Sequence, residues 1–156
     1  MRMASEMTTT SLLVSGSAAA SMTSEFTQTA AAEVTQASPS YTTLTVTVAS
    51  GTNSYGTGNK YYIAGLSGAS PTVTLNEGTT YRFDQSDASN SGHPLRFSAT
   101  ADGTHGGGSE YTTGVTTNGT PGSAGAYTQI AVQSGAPTLY YYCTNHSGMG
   151  GTANTP

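Results

Sequence analysis

Near the carboxyl end the chain reads Tyr140-Tyr141-Tyr142-Cys143-Thr144-Asn145-His146-Ser147-Gly148-Met149, and Cys143 is its single cysteine. Cys-x2-His-x2-Met is a compact set of soft donors, and a further imidazole, His93, stands in Ser91-Gly92-His93-Pro94-Leu95-Arg96-Phe97. Two imidazoles, one thiolate and one thioether are the ligand types of a mononuclear copper centre. Sulfur favours the reduced ion, imidazole accepts both oxidation states, and a weak axial thioether tunes the potential. The candidate ligands are therefore His93, Cys143, His146 and Met149. Taken singly, each has a plainer reading: an inert buried thiol, a loop histidine before proline, a methionine at the surface. Taken together, the spacing favours a metal site. Zinc is the weaker option, because a closed structural zinc site takes four strong ligands.

Such a site needs elements that bring position 93 to the 143–149 loop. From Tyr41 onward the pattern has period two. Leu44, Val46 and Val48 alternate with threonines, as in a half-buried strand. Further strands are expected over residues 60–64, 71–75, 79–83, 95–99, 111–115, 127–132 and 138–142. Tyr81 and Phe83 should point inward, and residues 51–59 should form a turn or short loop. No helical period follows residue 40, so the expected fold is an all-β sandwich or barrel. His93 would then start one strand and Cys143 would end the last. Asn145 and Ser147 are the neighbours placed to support the ligands. His105, in a glycine loop, has no partner spacing and is left unassigned.

Residues 1–40 are of a different kind. They are rich in Ser, Thr and Ala, with a thin stripe of Met22, Phe26, Ala30 and Val34 at four-residue intervals. They read as an extended or partly helical amino-terminal arm, suited to anchoring or assembly, which ends at Ala37-Ser38-Pro39-Ser40; residues 41–156 form the β domain. The short Leu12-Leu13-Val14 run is too small for the apolar core of an export signal.

Composition bounds the partners. Only 8% of residues are charged, against about 25% in an average domain. The four basic residues form no run and the net charge is −4, which argues against nucleic acid. No stretch approaches the roughly 20 apolar residues of a membrane span. A Ser/Thr/Gly surface suits dense packing of many copies. Enzyme chemistry has little to stand on: Gly-x-Ser-x-Gly is absent, the carboxylates are scattered, and a Cys143–His146 dyad would lie within one short loop.

The set His93, Cys143, His146 and Met149 resembles that of the cupredoxin family, whose members are Greek-key β-sandwiches with one upstream His and a Cys…His…Met loop after a strand. Asn145-His146-Ser147-x-Met149 also resembles the ligand loop of cytochrome oxidase subunit II, without its second cysteine. Two departures stand out. The step from His146 to Met149 is three residues, where plastocyanin-like proteins have five. The family also continues with a strand after the Met, whereas residues 150–156 show no apolar alternation, so that strand is expected to be missing or supplied by another subunit.

The chain is also similar to cupredoxin-like modules in structural proteins of marine bacteriophages that infect cyanobacteria. The similarity runs through Phe83–Asp87, Gly92–Phe97, Asp102–His105, Gly122–Thr128 and Tyr141–Gly150. It implies a structural protein on the virion exterior: a capsid decoration, fibre or tail component that contacts a capsid or tail subunit and copies of itself. A secreted type-1-like copper electron-transfer protein is the alternative, and a non-viral self-assembling filament or surface-layer subunit the third.

Overall fold

A computed structural model describes residues 38–156, and the expected arm lies almost wholly outside them. The described chain is a two-sheet β-sandwich. Its strands are β1 (Thr42–Asn53), β2 (Gly56–Ile63), β3 (Val73–Thr74), β4 (Thr80–Asp84), β5 (Leu95–Ser98), β6 (Val115–Asn118), β7 (Tyr127–Ala131), β8 (Leu139–Cys143) and β9 (Gly151–Asn154). One sheet has the order β2-β1-β4-β7-β6 and the other β3-β9-β8-β5. Pairing is antiparallel except for β1 with β4 and β3 with β9. The chain passes repeatedly from one sheet to the other, with crossing connections of the Greek-key kind. Two short 3-10 turns, Ala88–Asn90 and Thr104-containing Gly103–Gly106, are the helical pieces among the described residues.

Alternation decides which side chains fill the gap between the sheets. Val46, Tyr61, Phe83 and Ile130 come from one sheet, and Leu95, Phe97, Leu139, Tyr141 and Ala153 from the other, all buried in one cluster. Tyr81 and Phe83 both point inward as expected. Phe83 meets Phe97 edge-on at 5.2 Å between ring centres and Tyr141 at 6.4 Å. With no tryptophan in the chain, these aromatics are among the largest side chains buried between the sheets.

The strand expected at residues 111–115 lies instead at Val115–Asn118, with Tyr111 making only an isolated bridge to Phe97, and two further expectations need correction. Residues 51–59 are not a loop: β1 runs to Asn53 and β2 starts at Gly56, with register kept down to Asn53↔Gly56. Only Ser54-Tyr55 turn. Hydroxyl pairs such as Thr52–Thr57, 2.8 Å apart, keep this polar hairpin in register without apolar alternation. Nor is the last strand missing or borrowed. Gly151–Asn154 pairs antiparallel with β8 and parallel with β3. A single inward residue, Ala153, is all its sequence pattern offers, because Gly150 and Gly151 must be small. A side chain at Gly150 would run into the Tyr141 carbonyl.

Candidate metal centre

The site lies at one end of the second sheet, where β5 begins and β8 ends. Leu95 is paired with Cys143 in the ladder, so His93, two residues before Leu95, lies beside the cysteine. Thr144 N–H donates to the Pro94 carbonyl at 3.1 Å and extends that pairing past the strand ends. Asn145 Nδ2 donates to the Gly92 carbonyl at 2.9 Å and ties the two loops together. His93 itself is fixed through its backbone: its carbonyl accepts from Tyr61 Oη and from Gln85 Nε2, each at 2.8 Å. Its N–H donates to Asn90 O at 2.8 Å. Asn90 is anchored in turn by its Nδ2 donating to the Val46 carbonyl.

The three donor residues converge. Cys143 Sγ is 3.8 Å from His93 Nδ1 and 3.7 Å from His146 Nδ1. One ligand atom from each lies within 4.8 Å of the others. An ion in the plane of three donors, about 2.3 Å from sulfur and about 2.0 Å from nitrogen, would set sulfur and nitrogen about 3.7 Å apart. The two sulfur–nitrogen separations therefore match what a first-row ion shared by these donors would require. His93 and Cys143 are buried and His146 is exposed, so the pole opens to solvent on the His146 side. Burial, and after it the neighbouring His146, hold the His93 imidazole below the usual histidine range. Both influences favour the neutral imidazole, the form that ligates.

Met149, the fourth expected ligand, is 1% exposed and packs in the core cluster that also contains Cys143. It is not surface clutter. Its carbonyl accepts from Tyr61 N–H at 3.0 Å and from Ser70 Oγ at 2.9 Å.

Four residues around the loop were not legible as functional. Gly148 N–H donates to Asp102 Oδ1 at 2.8 Å, and the Gly148 carbonyl accepts from Lys60 Nζ at 2.7 Å and Asn53 Nδ2 at 2.9 Å. Lys60 is only 4% exposed, and its ammonium is directed at this carbonyl. His105, left unassigned from sequence, has Nε2 3.0 Å from the Cys143 carbonyl, so its ring braces the backbone of a ligand. In the sequence, the one signal was a lone lysine among uncharged residues of the strand. The others act through backbone groups and carry no spacing motif.

Among the described residues no helix is long and apolar enough to cross a membrane. No family model, no curated protein and no solved structure matches the chain.

Proposed function

We propose that the chain is a cupredoxin-like structural protein of a virion exterior whose pole, His93, Cys143, His146 and Met149, holds one copper ion. The observation that carries the metal reading is the meeting of one thiol and two imidazole Nδ1 atoms at 3.7 and 3.8 Å from segments fifty residues apart. Copper, when bound, supplies a one-electron couple. The protein's part is to present a buried cysteine sulfur, a buried imidazole and an exposed one on loops already hydrogen-bonded in place. Such preorganisation limits the rearrangement that a change of ligand preference would otherwise demand. Support for the virion setting comes from the resemblance of segments such as Gly92–Phe97 and Tyr141–Gly150 to phage modules and from a sequence with only 8% charged residues. The partners would be a capsid or tail subunit and further copies of the chain.

Titrating the purified chain with Cu(II) tests the metal half: a thiolate-to-copper charge-transfer band should appear at one equivalent. Absence of that band sinks the copper reading. Electron microscopy of native particles, with antibody against the chain, tests the setting; recovery only as a free soluble monomer refutes it. A second reading, a secreted electron-transfer protein, is favoured by one feature, the solvent-exposed His146 edge, through which a redox partner could approach. Fast electron exchange with a small soluble redox protein, together with absence from particles, would select it.

A further inference from the structure

A cleft lies not at the metal centre but beside it, on the flank formed by the β1–β2 turn, the Gly103–Gly106 3-10 turn and β9. It measures about 340 Å³ and is lined by Tyr55, Tyr140, Asp102, Ser70, Thr72 and Thr152, among others. That volume lies within the roughly 300–1,000 Å³ of small-molecule sites. The walls, however, are hydroxyls, an amide, one carboxylate and two phenol rings, where such sites are mostly apolar.

Three observations indicate that the cleft is built rather than incidental. Tyr55, at the hairpin tip, is 51% exposed, yet it is seated against the ligand loop: a Cβ on Gly148 would come within 2.7 Å of Tyr55 Cβ. The two non-glycine residues with positive φ among those described, Ser70 (53°) and Asp102 (58°), both line it. Such backbone costs of order 1–3 kcal/mol and gathers at ligand sites; here the hydrogen bonds to Met149 O and Gly148 N–H account for part of it. Finally, Asp102 uses Oδ1 for Gly148, which leaves its second oxygen to a ligand.

We infer that this cleft binds a neutral saccharide. A sugar offers hydroxyls that donate to a carboxylate and exchange hydrogen bonds with Ser and Thr, and C–H faces that pack on aromatic rings. The lining supplies both kinds of partner. Anionic ligands are disfavoured, because Asp102 is the charged residue of the lining and no Lys or Arg belongs to it. Lys60, the nearest buried cation, is turned to the Gly148 carbonyl. Burial, then Asp102, then Tyr140 raise the pKa of the Tyr55 phenol, so it stays a hydrogen-bond donor. The inference is independent of copper.

The test uses the full chain without added metal and a panel of probes: methyl glycosides of glucose, galactose, mannose and N-acetylglucosamine, and their common disaccharides. Amide chemical shifts would be followed by NMR. At least one probe should shift the amides of Tyr55, Asp102 and Thr152 saturably. Tyr55→Ala should weaken that binding about tenfold or more, while Tyr55→Phe, which keeps the ring, should stay within about threefold. Tyr41→Ala, outside the cleft, should leave it unchanged. No saturable shift with any probe overturns the inference, as does binding unaffected by Tyr55→Ala. Saturation by tetramethylammonium with no sugar binding also overturns it, in favour of a cation cage.

Discussion

Gly148 shows how a ligand loop is held by residues that never touch the ligands' donor atoms. Its N–H and carbonyl are gripped by groups of opposite charge, the Asp102 carboxylate and the Lys60 ammonium. Hydrogen bonds to charged groups contribute about 1.5–3 kcal/mol. Asp102→Ala should therefore lower stability by about 2 kcal/mol in urea unfolding and speed amide exchange in residues 146–149. Asp102→Asn, which keeps an acceptor and tolerates the left-handed backbone, should lose much less. At the donors themselves, Cys143→Ser should abolish the charge-transfer band of the copper-loaded chain. Its structural cost is that of a buried hydroxyl in place of a thiol, about 1–3 kcal/mol, so the variant should still fold. A variant that keeps the band would show that the sulfur is not a ligand.

At the scale of elements, β9 matters out of proportion to its four residues. It joins β3 to β8, and with Met149 just before it, it pins the far side of the ligand loop. Gly150→Ala sets a Cβ against the Tyr141 carbonyl, and backbone cannot yield as a flexible side chain can. A loss of about 3 kcal/mol is expected, read as a lower urea midpoint, with weaker copper binding alongside. Truncation after Gly150 should prevent cooperative folding of the isolated chain. A neighbour-supplied strand would predict the opposite, a truncated chain no less stable than the full one. Long hairpin β1–β2 has a comparable role on the other flank, since Lys60, Tyr61 and Asn53 all reach the ligand loops from it.

For the whole molecule, charge does little of the holding. Arg96–Glu110, at 3.3 Å, is the ion pair among the described residues and is partly exposed, so it contributes little. Arg82 instead lies between the rings of Tyr41 and Tyr127, at 3.7 and 3.9 Å. Buried tyrosines set the pH limit. Tyr61 and Tyr141 are fully buried, and their hydroxyls donate to the His93 and Pro71 carbonyls. Burial raises both pKa values far above the ordinary 10.0. A raised folded pKa means that the folded state keeps protons the unfolded chain releases. Their contribution is complete below pH 10 and declines as pH climbs beyond it, by up to about 1.4 kcal/mol per unit for each group. Urea unfolding should thus show a flat stability from neutral pH to about pH 10 and a steep fall above it. Tyr141→Phe should make that fall shallower.

Much of this was legible in residue order. Period-two alternation in β1, β4, β5, β7 and β8 follows from one buried face per strand, so the all-β class and the inward aromatics could be read directly. The Cys-x2-His-x2-Met spacing also confined three donors to one loop, whatever the fold. What escaped was anything held by backbone. The polar β1–β2 hairpin and the nearly featureless β9 gain their order from ladder hydrogen bonds, which every sequence can make and none advertises. The approach of His93 to Cys143 was expected from their ligand types alone; the braces from Lys60, Asp102 and His105 and the cleft at Tyr55 were not, and all of these join positions tens of residues apart. Only packing of the two sheets brings such positions within hydrogen-bonding distance, and no local spacing encodes it.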